Sequence, residues 1–182
     1  MLEKELKFTL TQEEYGKIEA MFSWDSQFTQ INTYYNDRDR LLEKNGITFR
    51  IRTKNDINML QIKKHIKTEN ALNISEETEE KIADIPKSFP SEKVFGLTGI
   101  KTDAFCIGSL RTLRHTLMYD VFTEICLDKN NYLGTEDYEL EIEYTKELPA
   151  NLLDKFKNAG ISLNTSASGK RTRFMNFFYG LF

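Results

Sequence analysis

The first part of the chain alternates apolar and polar side chains, first with the period of a β-strand and then with the period of an α-helix. In residues 2–10 (LEKELKFTL) nearly every second side chain is apolar, which predicts a β-strand with one buried face. Thr11 follows as a helix N-cap, and Glu14 stands three residues later, which is the spacing of a capping box. Ile18 and Phe22 then recur at helical spacing, so we predict a helix that ends near Phe22.

Most of the remaining chain shows strand-like alternation. Asn55 and Asp56 form a turn signal between two alternating segments, which predicts a β-hairpin. Residues 88–101 and 149–160 are predicted to be helix or loop. Strands are predicted at 30–37, 47–54, 57–66, 73–82, 105–118, 120–127 and 137–144. This order predicts a single α+β domain over residues 1–182, whose antiparallel sheet of about eight strands could close into a β-barrel with helices packed outside.

Charged side chains collect on one face of these predicted strands, often with a single sign. In 47–54, Arg50 and Arg52 share a face, and the apolar side chains share the other. In 73–82 the acidic residues occupy both parities, so the sequence leaves that register open. The charged positions of interest are Glu3, Glu5, Lys7, Arg50, Arg52, Lys63, Glu77, Glu79, Arg114, Glu139, Glu141 and Glu143, with Lys170 and Arg173 as further cations along the chain.

Two interpretations of these faces remain open. An antiparallel sheet commonly has one solvated face, so a single charged strand face needs no special explanation. Runs of one sign repel, however, and surfaces usually intersperse the two signs. Divalent cations compensate acidic clusters, and phosphates compensate basic ones. If the sheet closes with its charged faces inward, the interior must be a wet tunnel, which suits a polyanion together with its metal.

Composition excludes several other classes of protein. The chain has 25 Lys and Arg against 28 Asp and Glu, a net charge of −3, so a nucleic-acid partner is not expected. No apolar run approaches the length of a membrane span, and the charges that follow Met1 do not form a secretory signal. Cys106 and Cys126 are isolated. We therefore expect a cytoplasmic protein without a membrane partner, either a monomer or a homodimer.

The segments that carry the charges also resemble a known family. The first is Glu3-Lys4-Glu5-Leu6-Lys7, a Glu-x-Glu-x-Lys signature at the N-terminus. The further matching segments, in order, are Tyr34-Tyr35-Asn36-Asp37, Phe49-Arg50-Ile51-Arg52, Leu60-Gln61-Ile62-Lys63, Glu77-Thr78-Glu79, Gly108 to Arg114, Asp128, Leu133-Gly134, and Tyr138 to Glu143. Together they resemble the CYTH superfamily of triphosphate tunnel metalloenzymes, which includes thiamine triphosphatases, inorganic triphosphatases and class IV adenylyl cyclases. The likeness is greatest to its stand-alone bacterial members.

The resemblance implies a closed eight-stranded tunnel that binds a small triphosphate-containing molecule together with Mg²⁺ or Mn²⁺. Phosphate oxygens would be bound by Lys7, Arg50, Arg52, Lys63, Arg114 and Lys170. The metal would be held by carboxylates among Glu3, Glu5, Glu77, Glu79, Glu139, Glu141 and Glu143, and which two of Glu139, Glu141 and Glu143 face it stays open. The residues expected to be catalytic are Glu5, Lys7, Arg52 and Glu141.

One departure from the family pattern concerns a phosphate contact. Many members have Lys-x-Arg in the sixth strand, where this chain has Thr112-x-Arg114. The expected activity is metal-dependent hydrolysis of the terminal phosphate of inorganic, thiamine or nucleoside triphosphate. A class IV-type adenylate cyclase is a second hypothesis, and a non-catalytic polyphosphate- or nucleotide-binding module is a third.

Overall fold

The computed structural model describes residues 4–69, 72–163 and 168–180. The chain divides into two compact units, one made of residues 1–29 and 112–182 and the other of residues 30–111. The division falls within two long strands, β2 (Ser26–Asn36) and β7 (Ala104–Asp120).

The first unit contains three complete strands and three helices. The strands are β1 (Lys4–Leu10), β8 (Thr123–Tyr132) and β9 (Thr135–Tyr144), and the helices are α1 (Gln12–Met21), α4 (Leu152–Asn158) and α5 (Lys170–Phe178). Strand β9 lies between β1 and β8, and all three run antiparallel. The register places Lys7 opposite Glu141 and Phe8 opposite Leu140, so charged and apolar side chains alternate in step across the strands.

The apolar face of these strands packs against α1 and α4. Ile18 of α1 and Phe156 of α4 are fully buried in the same cluster as Leu140 and Ile142 of β9. Helix α1 begins with the predicted capping box, in which the Thr11 hydroxyl accepts from the Glu14 backbone N–H and the Glu14 carboxylate accepts from the Thr11 N–H. The core of this unit therefore lies on one side of its strands and leaves the other side for charge.

The described part of the second unit consists of antiparallel strands and two short helices. Its remaining elements are α2 (Leu41–Lys44), β3 (Ile47–Lys54), β4 (Ile57–Glu69), β5 (Leu72–Ile82), β6 (Ser88–Phe89) and α3 (Ser91–Thr98). The strands neighbour one another in the order β2, β3, β4, β5, and β6 pairs with β7. Its core joins Phe49, Ile51, Leu60 and Val94, again on one face of the sheet.

The structure confirms the antiparallel α+β arrangement. It also confirms the hairpin at Asn55 and Asp56, whose φ angles of 50° and 58° are those of a tight two-residue turn. Residues 88–101 contain β6 and α3, so helix and strand share that region. Helix α5 was not expected, because its short apolar pattern lacks a side-chain cap.

Closure of the sheet into a barrel is not established by its hydrogen bonds. Among the described residues, β1 pairs with β9 alone, and β5 pairs with β4 alone. A closed eight-stranded barrel therefore stays a prediction. Within the described ranges, no helix is both long and apolar enough to span a membrane.

Candidate metal and phosphate site

The charged face of the first unit brings buried carboxylates together. Glu139 and Glu141 point to the same face of β9, and the register places Asp128 of β8 beside Glu139. Asp128 and Glu139 are fully buried, and Glu141 is 4% exposed. Oxygens of the three carboxylates lie within 4.8 Å of one another, and we call this group the inner triad.

Lys170 lies among the carboxylates of the inner triad. Its Nζ is 2.8 Å from Asp128 Oδ2, 2.7 Å from Glu139 Oε1 and 2.6 Å from Glu141 Oε1. Burial alone would lower the pKa of this amine, but the three carboxylates outweigh burial and raise the pKa. Lys170 is therefore a permanently charged partner of the triad. It is the first residue of α5.

Arg114 of β7 binds the same carboxylates from a second direction. Its Nε and Nη2 donate to the two oxygens of Asp128 at 2.7 and 2.6 Å, a bidentate geometry, and Nη2 also contacts Glu141. Burial works against the charge on Arg114, but the bonds to Asp128 and the nearby Glu141 raise its pKa.

Arg173, one helical turn after Lys170, is fixed by Asp137. Its Nε donates to Asp137 Oδ2 at 2.9 Å, and its Nη2 forms an ion pair with Glu139 Oε2 at 2.5 Å. Asp137 also accepts from Asn130 Nδ2 at 2.8 Å and from the Tyr132 hydroxyl at 2.6 Å. Burial would raise the pKa of Asp137, but these donors lower it, so the carboxylate stays charged.

A second acidic group lies toward the more exposed end of the face. Glu5, Glu141 and Glu143 again have oxygens within 4.8 Å of one another, and we call them the outer triad. Lys7 Nζ lies 2.9 Å from Glu5 and 3.4 Å from Glu141. Burial works against its charge, but the two glutamates raise the pKa of Lys7.

The pKa values of the three β9 glutamates differ because their surroundings differ. Burial raises the pKa of Glu139. For Glu141, Lys170 and Arg114 outweigh burial and hold the pKa well below its usual range. Burial, together with the charges of Glu5 and Glu141, raises the pKa of Glu143 to about 7. Glu143 thus lies in a region of uncompensated negative charge.

The charges that meet on this face do not balance. Six described carboxylates are joined by these contacts (Glu5, Asp128, Asp137, Glu139, Glu141 and Glu143), against four cations (Lys7, Arg114, Lys170 and Arg173). The carboxylates of this group therefore outnumber its cations by two. Both triads offer only carboxylate oxygens, the ligands that Mg²⁺ and Mn²⁺ prefer, so the donor set fits such a metal. Burial raises the pKa of the Cys126 thiol on the same face.

The second unit carries a charged face on β3, β4 and β5. Arg50 Nε donates to Gln61 Oε1 at 2.9 Å, and Gln61 Nε2 donates in turn to Glu79 Oε2 at 3.0 Å. Arg50 Nη2 lies 3.6 Å from Glu77. Each arginine fork therefore has a polar neighbour that orients it, as Arg52 Nε also donates to Asn32 Oδ1 at 3.0 Å.

The sequence-predicted residues fall into two groups in the structure. Lys7, Arg114 and Lys170 meet Glu5, Glu139, Glu141 and Glu143 in the first unit, and Arg50, Gln61, Glu77 and Glu79 share a face in the second. Lys63 is exposed and lies opposite Glu77 in register. Glu3 lies outside the described residues.

Sequence reasoning gave no site role to three residues of the first group. Asp128 stood only among the segments of the resemblance, Arg173 was noted only as a further cation, and Asp137 was missed. Asp128 shares the parity of Glu124 and Cys126, and Asp137 that of Glu139, so alternation of side chains could have placed both on the charged face. Arg173 follows Lys170 at a spacing of three, but only recognition of α5 as a helix would have indicated that the two side chains share a face.

Comparison with known proteins identifies the family. The CYTH domain model matches residues 1–173, so the chain belongs to the CYTH family. Among curated proteins, none matches the chain.

Three solved structures share the fold over nearly the whole chain. A candidate adenylate cyclase from Bacillus halodurans is 25% identical, with a TM-score of 0.71, and the match covers 96% of this chain and 99% of that one. The candidate adenylyl cyclase HpAC1 from Hippeastrum, described as having a dominant triphosphatase activity, is 21% identical with a TM-score of 0.77 over 97% and 96% of the chains. The PH1819 protein from Pyrococcus horikoshii is 18% identical, with a TM-score of 0.63 over 96% and 99%.

Proposed function

We propose that this protein hydrolyses the terminal phosphate of a triphosphate in the presence of Mg²⁺ or Mn²⁺. The substrate would be inorganic triphosphate, thiamine triphosphate or a nucleoside triphosphate, and water would cleave it to a diphosphate and orthophosphate. The single observation that carries this proposal is the cluster around Glu141, where partly buried lysine and arginine side chains alternate with carboxylates that outnumber them.

Each residue type in the cluster suits phosphoryl transfer, which requires alignment and charge neutralisation more than covalent catalysis. Arg114, whose Nε and Nη2 bind Asp128, would supply positive charge to the phosphate oxygens, as would the amines of Lys7 and Lys170. We propose Arg50, Arg52 and Lys63 of the second unit as further phosphate ligands. Arg114, Lys7, Arg50 and Arg52 are held by Asp128, Glu141, Gln61 and Asn32 respectively, so these four side chains are oriented before the substrate arrives.

The carboxylates are proposed to hold the metal. Glu5, Glu141 and Glu143 would hold it in the first unit, and Glu139, Glu77, Glu79 and Glu3 are the remaining candidates. A bound divalent ion would neutralise phosphate charge and bring the phosphate oxygens to the carboxylates. Within this set Glu5, Lys7, Arg52 and Glu141 are proposed as the catalytic residues, since they would contact the reacting phosphate or its metal. A single domain closed around a tunnel, cytoplasmic location and a monomeric or dimeric state also remain predictions.

A second candidate function is adenylate cyclase activity. It is favoured by the names of the Bacillus halodurans and Hippeastrum proteins, whereas the activity stated for the latter favours hydrolysis. In a cyclase the ribose 3′-hydroxyl would attack the α-phosphate of ATP and release pyrophosphate. The two reactions differ in products, so one assay separates them.

The test is an assay of the purified full-length chain with tripolyphosphate, thiamine triphosphate and ATP, each with Mg²⁺ or Mn²⁺. We expect orthophosphate release from at least one of them and a decrease of about 100-fold or more in E141Q, because Glu141 belongs to both triads. E136Q is the matched control, since Glu136 is exposed and contacts Lys129 instead. Cyclic AMP as the main product would favour the cyclase. Tight triphosphate binding without any product would favour a binding module.

A further inference from the structure

The two basic residues Lys170 and Arg173 lie one turn apart on helix α5, but their nitrogens have different partners. Lys170 Nζ contacts the three carboxylates of the inner triad at 2.8, 2.7 and 2.6 Å. The guanidinium of Arg173 bonds instead to Asp137, with Nε at 2.9 Å from Oδ2 and Nη2 at 3.3 Å from Oδ1. Its Nη1 donates to the carbonyl of Ser168 at 2.7 Å. Every nitrogen of Arg173 therefore has an acceptor within the chain, and its fork serves internal contacts.

Asp137 is itself held in place by strand β8. It lies opposite Asn130 in the register of β8 against β9, and Asn130 Nδ2 donates to Oδ1 at 2.8 Å. The Tyr132 hydroxyl donates to Oδ2 at 2.6 Å. Asn130 is fully buried and accepts in turn from the hydroxyl of Thr112 on β7 at 2.7 Å. Three strands thus determine where Asp137 presents its oxygens to Arg173.

The fixed position of Arg173 bears directly on Lys170. The two residues share Glu139, since Arg173 Nη2 forms an ion pair with Oε2 at 2.5 Å and Lys170 Nζ lies 2.7 Å from Oε1. Residues three positions apart lie on the same side of a helix, so the bond to Asp137 also sets the rotation of α5 about its axis.

Apolar packing of α5 would not fix that rotation to the same degree. Phe174 and Met175 are buried and hold the helix on the molecule, but hydrophobic burial is non-directional. A two-bond fork, in contrast, defines both distance and orientation. Lys170 has a flexible four-carbon stem, and its amine reaches three carboxylates at once only when its backbone is correctly placed.

We propose that Asp137 and Arg173 are positioning residues of the site. Their paired bonds fix the first turn of α5 and thereby keep the Lys170 amine among the carboxylates of the inner triad. The proposal rests on the proposed function for its effect on turnover, and it deepens that function by naming two residues that act through Lys170 without touching the substrate. The placement of the Lys170 amine is a property of the free protein and can be measured without substrate.

The first measurement follows the Lys170 amine by ¹H–¹⁵N NMR of the full-length chain without metal or triphosphate. The side chain of Lys170 is only 12% exposed, and ammonium protons held in buried hydrogen bonds exchange slowly enough to give a signal. K170M assigns this signal by removing it. We expect D137N and R173M to lose the signal. E136Q and T172A are the matched controls, since they change exposed neighbours of Asp137 and Arg173, and both are expected to keep it.

The second measurement is kcat/KM for tripolyphosphate with Mn²⁺. R173M is expected to lower kcat/KM about 10-fold or more, because the Lys170 amine loses its fixed place. In the K170M background, R173M should lower kcat/KM by less than about twofold, since a residue that acts through Lys170 has no effect once that amine is gone. R173K keeps the charge without the fork and is expected to stay within about threefold of R173M.

Y132F is the milder variant should D137N and R173M not fold. It removes one donor to Asp137 but keeps the aromatic ring beside Phe174, where the ring centroids are 6.0 Å apart. We expect the ammonium protons of Lys170 to exchange about threefold faster or more in Y132F than in the wild type.

The proposal is wrong if the wild type gives no protected Lys170 signal, or if that signal is unchanged in D137N, R173M and Y132F. It is also wrong if R173M lowers kcat/KM equally with and without Lys170. Loss of the signal in the variants of a protein that hydrolyses no triphosphate would support the positioning role and overturn the proposed function. Hydrolysis of a triphosphate together with an unchanged signal in the variants would do the reverse.

Discussion

At the scale of single residues, Glu141 is the point on which the first unit's charges converge. It contacts Lys7, Arg114 and Lys170 and belongs to both acidic triads. Its parity on β9 could be predicted from the sequence, since side chains alternate along a strand. Its three basic partners could not, because they come from β1, β7 and α5, and only strand register and helix packing bring them together.

Thr112 is a residue whose role the structure revises. The family pattern has a basic residue at this position, but Thr112 is fully buried, and its hydroxyl donates to Asn130 Oδ1 at 2.7 Å. Asn130 in turn donates to Asp137, which fixes Arg173. Thr112 therefore belongs to the support of the cationic cluster.

Replacement of Thr112 by valine tests this role. T112V keeps the shape but leaves the buried Asn130 oxygen without its donor, so we expect the free energy of unfolding to fall by about 1–3 kcal/mol. Urea denaturation measures that change, and T172V, at an exposed threonine of α5, is expected to change it by less than about 0.5 kcal/mol. The KM for tripolyphosphate should change by less than about twofold, since no cation is lost. A large rise in KM with unchanged stability would mean that Thr112 contacts phosphate after all.

At the scale of elements, the two helices that matter most for the site differ in how well the sequence predicts them. Helix α1 could be predicted because its capping box is a local pattern, and the structure confirms it. Helix α5 could not, because its N-cap is Gly169 without a side-chain bond, and its helical state depends on burial of Phe174 and Met175. The sequence around a helix predicts it only when contacts within the helix and its caps stabilise it; a helix stabilised by tertiary packing leaves no such signal.

The capping box of α1 has a pH dependence that follows from Glu14. Burial would raise the pKa of Glu14, but N–H groups of Thr11 and Ser162 donate to its carboxylate and lower the pKa from 4.5. The stability that this carboxylate supplies is therefore present above pH 4.5 and is lost as the pH falls below it. We expect E14Q to lower the free energy of unfolding at neutral pH by about 0.5–2 kcal/mol.

Urea denaturation of E14Q and the wild type at neutral pH and below pH 4.5 checks this prediction. The difference between the two proteins should shrink as the pH falls, because the wild-type carboxylate becomes protonated. E13Q serves as the control, since Glu13 is exposed and pairs with Lys17. A difference that stays constant over this pH range would contradict the assignment.

The packing of α5 affects both the stability of the protein and the position of the basic side chains that α5 contributes to the site. Phe174 is fully buried and lies near Tyr132, with ring centroids 6.0 Å apart, whereas Phe178 on the same helix is 41% exposed. We expect F174A to cost about 3–5 kcal/mol of unfolding free energy and to reduce triphosphate hydrolysis, because Lys170 and Arg173 move with the helix. F178A should lower the free energy of unfolding by less than half of that amount and should leave triphosphate hydrolysis near the wild-type rate. Equal effects of both variants would show that α5 is not anchored through Phe174.

At the scale of the whole molecule, the charge balance decides which ligands can bind. The net charge is only −3, so overall attraction does not favour a polyanion, and recognition must come from local clusters. The cluster of the first unit has two more carboxylates than cations, which explains why a polyanion would need a divalent ion as companion. Metal and triphosphate should therefore bind cooperatively.

Thermal unfolding measures this cooperativity in the full-length chain. Tripolyphosphate together with Mn²⁺, at about 100 times the Kd, is expected to add about 2.7 kcal/mol of stability. For a protein of this size that corresponds to a rise in Tm of about 5–10 °C. The two ligands added separately should give a sum well below this value, and E141Q should lose most of the rise. Additive shifts would argue that metal and phosphate bind at independent places.

By itself, the sequence determined the alternation of apolar and charged positions, the capping box of α1, the antiparallel α+β class and the resemblance to the CYTH family, which the match over residues 1–173 confirms. These are properties of neighbouring residues, and a strand or a cap expresses them locally. Only the tertiary structure decided that Lys170 lies among Asp128, Glu139 and Glu141, and that Asp137 holds Arg173. Those partners lie far apart along the chain, and their meeting depends on the register of β8 against β9 and on the docking of α5 through its buried aromatic side chain.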